Sequence, residues 1–206
     1  MSESLKQHWE NVYETRDPSK VSWHQGVPAK SMALIRSTEI PIEAPVIDVG
    51  GGTSTLVDIL MNSQYSDISV MDISAAALAK TRERLGEAAG SVTWIESEVT
   101  AFEPLRRYYL WHDRAVFHFL TDESDVRKYL DVLRTALIPG GHFVLATFGP
   151  DGPDSCSGLA VQRYSIKQQT DLLQADFELR TYELEDHSTP TGTVQQFLYS
   201  WWQARV

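Results

Sequence analysis

The chain has 206 residues, of which 42% are hydrophobic, and a formal net charge of −10. This length supports one compact domain and is marginal for two. The acidic balance disfavours a nucleic-acid-binding surface, which would require a basic stripe. The single cysteine, Cys156, excludes an internal disulfide framework and a cysteine-rich zinc site, and we predict no metal site.

The first residues of the chain bear on its expected cellular location. The first ten residues, MSESLKQHWE, are polar and charged and lack the apolar core of a signal peptide. No stretch approaches the roughly 18 apolar residues that a membrane-spanning helix needs. We therefore expect a soluble, cytoplasmic protein that binds neither nucleic acid nor membrane.

Residues 1–44 are expected to form a helical N-terminal cap. Apolar side chains at helical spacing predict a first helix, and they are Leu5, Trp9, Val12 and Tyr13. A loop over residues 16–28 follows. Pro28 is well placed at the first turn of a second helix over residues 29–37.

From residue 45 onward, short β-rich runs alternate with helical runs. The predicted strands are PVIDVG, DISVMDI, SVTWIE, YYLWHD and HFVLATF, and the predicted helices are STLVDILMN, SAAALAKTRERLG, ESDVRKYLDVLRTAL and SIKQQTDLLQ. Such alternation predicts a parallel sheet with helices on both faces. The last runs, FELRTYELED and TVQQFLYSWWQAR, are joined by the turn-rich HSTPTG and predict an antiparallel hairpin.

The predicted fold class is therefore α/β. We expect a doubly wound, mostly parallel seven-stranded sheet with helices on both faces and an antiparallel C-terminal β-hairpin. The whole chain, residues 1–206, is expected to be a single domain, with the core over residues 45–206.

The stretch VIDVGGGTSTL, residues 46–56, runs from a strand into three consecutive glycines. In a doubly wound sheet, ligands bind beyond the carboxyl ends of the strands, and glycines there let a ligand approach the backbone. A dinucleotide-binding loop needs a glycine where Thr55 stands, and Asp48 would repel a pyrophosphate. A ligand that carries a cationic ammonium and a sulfonium would instead be attracted.

Two further acids are expected at the same edge of the sheet. Asp72 ends the second strand about 20 positions after Gly50, the usual offset for a carboxylate that hydrogen-bonds ribose hydroxyls. Glu98 closes the third strand. One such acid alone is better explained as a solvated strand end, but three acids together with a glycine loop favour a binding site.

At these residues the chain resembles the Rossmann-like (class I) S-adenosylmethionine-dependent methyltransferases. The likeness lies in DVGGG at 48–52, MDIS at 71–74, ESEV at 96–99 and LIPGGHFVLATF at 137–148. It implies a Rossmann-like core, S-adenosyl-L-methionine as cofactor and S-adenosyl-L-homocysteine as product.

The resemblance also implies which residues surround the methionine and ribose parts of that cofactor. Asp48 would border the methionine part together with Gly50, Gly51 and Gly52. Asp72 would hold the ribose hydroxyls.

The adenine end follows from the same resemblance. Ile73 would lie against the adenine, and Val99 would supply a backbone donor. Glu98 stands where the family usually has an aspartate near the adenine amino group. The fourth strand of the family often opens with an aspartate, and Tyr109 holds that place here.

The stretch YYLWHDRAVFHFL carries the richest chemistry. It leaves the fourth strand, so His112, Asp113 and Arg114 are expected near the transferred methyl group. Methyl transfer requires alignment and exclusion of water, and a general base only if the nucleophile must lose a proton. The candidate catalytic residues are Asp113, His112 and His118, and His112 is also a candidate cofactor contact. The structural alternatives are an Asp113–Arg114 ion pair and packing of His118 beneath a helix.

Aromatic residues of the cap, and one long loop, are expected at the same opening. Trp23 lies in a loop and is a candidate cofactor contact through cation–π attraction to the sulfonium. Trp9 and Tyr13 are better explained by helix packing. The loop over residues 149–165 is long enough to be functional, although Cys156 within it is better explained as a small buried residue.

Trp201 and Trp202 are adjacent on the last strand and must point to opposite faces. One of them is therefore either covered by a helix or part of an exposed contact, such as a homodimer.

The sequence predicts an enzyme that transfers a methyl group from S-adenosylmethionine to a small-molecule acceptor, since little beyond the core is available to grip a macromolecule. Two alternatives stay open: a protein methyltransferase acting on lysines or N-termini, and a non-catalytic S-adenosylmethionine-binding regulatory module. An NAD-dependent oxidoreductase is disfavoured by Thr55, by Asp48 and by the terminal hairpin.

Overall fold

The computed structural model describes residues 3–206, and its central feature is a seven-stranded sheet. The strands, in chain order, are β1 Val46–Val49, β2 Ile68–Asp72, β3 Val92–Glu96, β4 Tyr108–Arg114, β5 Leu137–Phe148, β6 Ser155–Cys156, β7 Leu159–Ala160, β8 Phe177–Ser188 and β9 Val194–Ala204. The large sheet has the order β3-β2-β1-β4-β5-β9-β8. Strands β1 to β5 are parallel, whereas β9 runs antiparallel to β5 and β8 antiparallel to β9.

Helices connect the parallel strands and precede the first of them. They are α1 Glu3–Thr15, α2 Ala29–Ser37, α3 Leu56–Asn62, α4 Ala75–Leu85, α5 Glu123–Ala136 and α6 Ile166–Leu173. Within residues 3–206, no helix is long and apolar enough to cross a membrane. The predicted α/β fold, with its doubly wound, mostly parallel sheet and antiparallel C-terminal hairpin, is confirmed.

Two hydrophobic cores lie on opposite faces of the sheet because alternate strand residues point to opposite sides. On one face, Ile47 and Val49 of β1 pack in a cluster with Tyr129 of α5. On the other face, Val46 packs in a cluster with Ile35 of α2. Every residue of β1 is buried, so this strand is the centre of the sheet and its carboxyl end is held in place from both sides.

The third strand ends before it reaches Glu98. It ends at Glu96, which stands opposite Asp72 in the parallel register. Glu98 lies beyond it, at the start of a 3₁₀ turn over Val99–Ala101. The prediction that Glu98 closes the strand is therefore wrong by two positions, although Glu98 still follows the carboxyl end of β3.

Two further segments differ from the sequence-based prediction. The strand predicted as HFVLATF already begins at Leu137, and its first part is irregular, since the pairing with β4 shifts there and Gly140 has a φ of +74°. The predicted loop over residues 149–165 contains the small β6–β7 hairpin. Short strands of this kind leave little periodicity in the sequence to read.

The two tryptophans of β9 point to opposite faces, as predicted. Trp202 is buried in the cluster under α5. Trp201 packs against the other cluster, and its Nε1 donates a hydrogen bond to Nδ1 of His142 at 3.0 Å. Since both indoles are occupied inside the fold, they do not supply the exposed contact that suggested a homodimer, and the homodimer stays a prediction.

A half-buried acid, Glu10, links helix α1 to helix α4. The carboxylate of Glu10 accepts hydrogen bonds from the backbone N–H groups of Ala75 at 2.8 Å and Ala76 at 3.0 Å, and from the hydroxyl of Ser74 at 2.8 Å. Burial disfavours the ionised carboxylate, but these hydrogen bonds outweigh it and lower the pKa of Glu10. Because α4 starts just after Asp72, this cap holds α1 across the carboxyl end of β2.

We predict that Glu10→Gln lowers the free energy of unfolding by about 1–2 kcal/mol, because a neutral amide cannot accept all of these hydrogen bonds. The measurement is urea-induced unfolding followed by circular dichroism. Glu14→Gln is the matched control, since Glu14 is exposed on the same helix. Equal unfolding midpoints for the two variants would contradict the proposed helix cap.

Candidate active site

The carboxyl ends of the parallel strands open into a cleft that the N-terminal segment covers. This main cleft encloses about 740 Å³, its open mouth included. Its floor comes from the ends of β1, β2 and β4 and from the segment after β3. The wall that faces this floor is aromatic, and its residues come from α1 and from the loop before α2.

A second, smaller cleft adjoins the first on the side of α2. This inner cleft shares four residues with the main cleft, namely Tyr13, Trp23, Gly50 and Arg114. Together the two clefts follow the edge of the sheet from β3 to β4, where open α/β sheets bind their ligands.

The structure brings the predicted cofactor residues to these two clefts, with one exception. The main cleft is lined by Trp23, Gly50, Asp72, Ile73, Glu98 and Val99. The inner cleft is lined by Trp23, Asp48, Gly50, Gly51 and His112. Gly52 lines neither cleft and instead packs behind Asp72.

The three glycines are needed because side chains crowd the loop. A Cβ atom at Gly50, where φ is +66°, would lie 2.0 Å from Cγ2 of Val116. A Cβ at Gly51 would lie 2.8 Å from Oδ2 of Asp48, and one at Gly52 would lie 2.8 Å from Oδ2 of Asp72. A side chain at any of these three positions would clash with its neighbours, two of which are carboxylates, so the loop requires glycine.

Asp48 is held by a buried chain of hydrogen bonds. Its Oδ1 lies 2.7 Å from Nδ1 of His112, and Nε2 of the same ring lies 2.8 Å from the hydroxyl of Ser31. The Ser31 hydroxyl can donate to Nε2, which leaves the proton on Nδ1 facing Asp48. The other carboxylate oxygen, Oδ2, is buried without a hydrogen-bond partner.

This arrangement bears on two predictions. An unpaired, buried carboxylate oxygen beside the glycine loop fits a cationic donor such as an ammonium group. His112 has both ring nitrogens engaged and is 3% exposed, so it is not placed to take a proton from an acceptor. It positions Asp48, and its predicted role as a general base is not supported by this geometry.

Asp72 is buried at the end of β2 and accepts a hydrogen bond from the Ser74 N–H at 2.8 Å. Burial, with the negative charges of Asp48 and Glu10 nearby, raises the pKa of Asp72 to about 7 despite the backbone hydrogen bonds. A carboxyl in this state gains from any additional hydroxyl donor, and a ribose diol supplies two.

The far end of the main cleft lies between β2 and β3. Ile73 and Val99 give it apolar walls, and Val99 is 5% exposed. Glu98 lines the cleft beside them and accepts a hydrogen bond from the Thr100 hydroxyl at 2.6 Å. An apolar slot with an acid at its rim suits a flat heterocycle that carries an amino group.

Asp113 does not reach either cleft, which corrects its predicted catalytic role. It points to the other face of the sheet, where it is fully buried and its Oδ2 accepts a hydrogen bond from the Tyr129 hydroxyl at 2.7 Å. Its Oδ1 accepts from the N–H groups of Val116 at 3.0 Å and Phe117 at 3.3 Å. These bonds hold the turn at Ala115, whose φ is +70°. Asp113 is therefore a structural residue of β4.

His118 is also displaced from its predicted role. Its ring is fully buried between Phe119 and Phe148, and Nδ1 accepts a hydrogen bond from the Phe148 N–H at 3.2 Å. Burial, and the nearby positive charge of Arg114, lower the pKa of His118 to about 3. The ring is thus neutral, lines neither cleft and cannot serve as a general base near neutral pH, which agrees with the packing alternative.

The aromatic wall is larger than the sequence indicated. Trp9 lies 5.7 Å from Trp23 and 5.2 Å from Phe119 between ring centroids, and Tyr13 lies 6.4 Å from Trp23. All four rings line the main cleft. Trp9 and Tyr13, expected only to pack the helix, therefore belong to the site, because α1 crosses over the cleft rather than lying behind it.

Two further residues, Arg114 and Cys156, line the main cleft although the sequence did not predict them as site residues. Arg114 lines both clefts and makes no ion pair with Asp113, since its partners are Tyr199 and the Trp23 carbonyl. Cys156 borders the main cleft, where burial raises the pKa of its thiol to about 11. The sequence placed Arg114 at the end of the fourth strand, but its partners, and the position of Cys156 beside the cleft, depend on contacts between distant segments that no local pattern signals.

We predict that Tyr129→Phe lowers the free energy of unfolding by about 1–3 kcal/mol, because it leaves Oδ2 of Asp113 and the Trp111 indole N–H without partners. Tyr109→Phe is the matched control: it removes the hydroxyl of a tyrosine on β4, the strand of Asp113, that is 41% exposed. The measurement is urea unfolding. Equal stability of the two variants would contradict the structural role of Asp113.

Comparisons with known proteins agree with this geometry. Residues 47–143 match a family model described as a methyltransferase domain. A malonyl-acyl-carrier-protein O-methyltransferase of Ilyobacter polytropus is 30% identical over 105 residues, which cover 50% of this chain and 38% of that protein. Nodulation protein S of Rhizobium tropici is 27% identical over 116 residues, covering 56% of this chain and 48% of that protein. The chain therefore spans about half or less of the length of these curated relatives.

Solved structures extend the similarity of the fold to nearly the whole chain. The 1,6-didemethyltoxoflavin-N1-methyltransferase of Burkholderia thailandensis, solved with S-adenosylhomocysteine, has a TM-score of 0.75 at 18% identity and covers 98% of this chain and 88% of its own. The N-methyltransferase NodS of Bradyrhizobium japonicum, also solved with S-adenosylhomocysteine, has a TM-score of 0.72 at 14% identity, with 97% of each chain covered. The match to the methyltransferase-domain model covers 97 of the 206 residues, and the solved structures show that the fold of nearly the whole chain is the one found in these S-adenosylhomocysteine-bound methyltransferases.

Proposed function

We propose that this chain catalyses the transfer of a methyl group from S-adenosylmethionine to a small-molecule acceptor. The observation that carries the proposal is the main cleft, in which Gly50, Asp72 and Glu98 follow the carboxyl ends of three parallel strands beneath an aromatic wall. Relatives of this chain are described as methyltransferases of small molecules, among them 1,6-didemethyltoxoflavin.

The residues present fit the cofactor from one end to the other. Asp48, with its unpaired Oδ2, would bind the ammonium beside the glycine loop, and Asp72 would accept hydrogen bonds from the ribose hydroxyls. Ile73 and Val99 would enclose the adenine, with Glu98 near its amino group. The cofactor supplies an activated methyl group on a sulfonium.

The protein's own contribution is alignment and exclusion of water. The rings of Trp9, Trp23 and Phe119 shield the space above the glycine loop, and their faces would stabilise a cationic sulfonium. An acceptor held against this wall would meet the methyl group along a fixed direction, and most of the rate gain would come from that alignment.

The side chains around the cleft also restrict the acceptor. Of the residues described, no histidine lines the main cleft. Tyr13 and Cys156 do line it, but burial raises the pKa of Tyr13 well above its usual value and that of Cys156 to about 11, so both hold their protons. With Asp72 and Glu98 assigned to the cofactor, the acceptor atom would be nucleophilic as it binds, such as a neutral amine or an ionised oxygen.

The cap favours a small acceptor over a protein. Helix α1 is fastened across the cleft by Glu10, and the loop at Trp23 is tied to Arg114, so a polypeptide would have to displace both. A protein methyltransferase and a non-catalytic cofactor-binding module are the competing functions. Turnover of S-adenosylmethionine on a panel of small amines, phenols and carboxylates separates all three.

We predict that the purified protein binds S-adenosylmethionine and S-adenosylhomocysteine in calorimetric titrations with micromolar affinity and does not bind NADH. The acids of the two clefts attract the cationic cofactor and repel a pyrophosphate. Binding of NADH alone would overturn the assignment of the cofactor.

We predict that Asp72→Ala weakens S-adenosylhomocysteine binding by about 1–3 kcal/mol, because the ribose hydroxyls lose their acceptor. Glu96→Gln is the matched control: Glu96 lies opposite Asp72 in the register but lines neither cleft. Equal affinities for the two variants would remove Asp72 from the cofactor site.

We also predict that the affinity for S-adenosylhomocysteine rises about three- to tenfold between about pH 6 and about pH 8. The pKa of Asp72 is raised to about 7 in the ligand-free protein, and hydroxyl donors favour the carboxylate, so binding releases a proton and strengthens as the pH increases. Asp72→Asn should remove this dependence. The same pH slope in that variant would show that another group is responsible.

A further inference from the structure

Arg114 presents a fixed guanidinium at the junction of the two clefts. Its Nε donates a hydrogen bond to the Tyr199 hydroxyl at 2.9 Å, and its Nη1 donates to the Trp23 carbonyl at 2.9 Å. The guanidinium carbon lies 4.5 Å from the centre of the Phe197 ring. These three contacts, two from β9 and one from the loop before α2, hold this normally flexible side chain in one orientation.

The third nitrogen of this guanidinium has no partner. Nη2 is buried and makes no hydrogen bond, and within residues 3–206 no acid forms an ion pair with Arg114. Glu185 of β8 stands opposite Phe197 in the register, and its Oε2 is also buried without a partner. Glu185 and Arg114 act on Tyr199 with opposite charges, but they form no ion pair with each other. A buried cationic N–H without an acceptor is costly, and an anionic oxygen satisfies it best.

The surroundings of Arg114 separate positive from negative charge. Asp48 and Asp72 lie on the side of β1 and β2. A third, outer cleft shares Trp23 and is lined by Arg16 and Lys20, and its one acid, Asp17, lies 3.7 Å from the Lys20 ammonium. In a chain with a net charge of −10, this concentration of cations at one mouth favours an anion on that side.

We propose that Arg114 is a carboxylate-binding residue, which fixes one anionic group of a ligand through Nη2 and so determines specificity. The inference rests on the proposed function for the place of the cofactor. Two ligands can bring such a group: S-adenosylmethionine through its own carboxylate, and a methyl acceptor that is itself a carboxylic acid. In both cases the anion offsets the repulsion between the guanidinium and the sulfonium.

The first arm of the test measures the carboxylate of the cofactor. Wild type and Arg114→Gln are titrated with S-adenosylhomocysteine and with 5′-methylthioadenosine, which lacks the amino-acid part. If the cofactor supplies the anion, the variant binds S-adenosylhomocysteine at least about tenfold more weakly and binds 5′-methylthioadenosine as wild type does.

The second arm measures an anion brought by the acceptor. Malonate and its neutral counterpart malonamide are titrated into the protein saturated with S-adenosylhomocysteine. If the acceptor supplies the anion, wild type binds malonate and not malonamide, Arg114→Gln loses the malonate site, and its affinity for S-adenosylhomocysteine is unchanged.

Control variants distinguish loss of the carboxylate contact from unfolding of the protein. Arg163→Gln removes an arginine that lines neither of the two clefts that meet at Arg114 and should change none of these affinities. Arg114→Lys keeps the charge and should retain part of the binding of whichever carboxylate is recognised. Thermal unfolding identifies variants that fail to fold, and Arg114→Lys then carries the test.

The inference is overturned if Arg114→Gln weakens S-adenosylhomocysteine and 5′-methylthioadenosine by the same factor, because the residue then only shapes the cleft. It is equally overturned if neither arm depends on Arg114. Both results differ from failure of the proposed function, in which wild type itself does not bind S-adenosylhomocysteine.

Discussion

The pairing of β1 with β2 on one side and β4 on the other is the constraint on which the rest of the structure depends. Parallel pairing in this register places the ends of the three strands side by side, with Val49 opposite Met71 and Asp113. Since β1 is buried on both faces, its carboxyl end cannot move, and the chain must turn there through a backbone free of side chains. This glycine turn leaves the carboxyl ends of the strands uncovered, and the clefts form there.

Polar contacts between distant segments then close the site. Glu10 binds the first turn of α4, Arg114 binds the Trp23 carbonyl, and Ser31 reaches Asp48 through His112. In each case a charged or polar group in or beside the N-terminal segment finds its partner in a segment far away in the chain. Two of these groups, Asp48 and Arg114, also give the clefts their charge.

Burial also gives identical side chains different roles. Asp72 and Asp113 are both buried aspartates at strand ends, with pKa values raised to about 7 and about 6. Asp72 faces the main cleft, where its carboxylate can accept hydrogen bonds from a ligand. Asp113 faces α5, where Tyr129 and two backbone N–H groups occupy it. Strand alternation requires Asp113 and its neighbour His112 to point to opposite faces, but it does not say which face carries the site.

The sequence by itself determined the α/β fold, the glycine loop and the acids Asp48 and Asp72, because strand and helix periods and the residues at strand ends are local signals. The tertiary structure alone decided that Asp113 and His118 belong to the interior, that Trp9 and Tyr13 line the cleft, and that Arg114 stands unpaired between two clefts. These outcomes depend on which segments contact each other, and those contacts are made between residues that lie far apart in the chain.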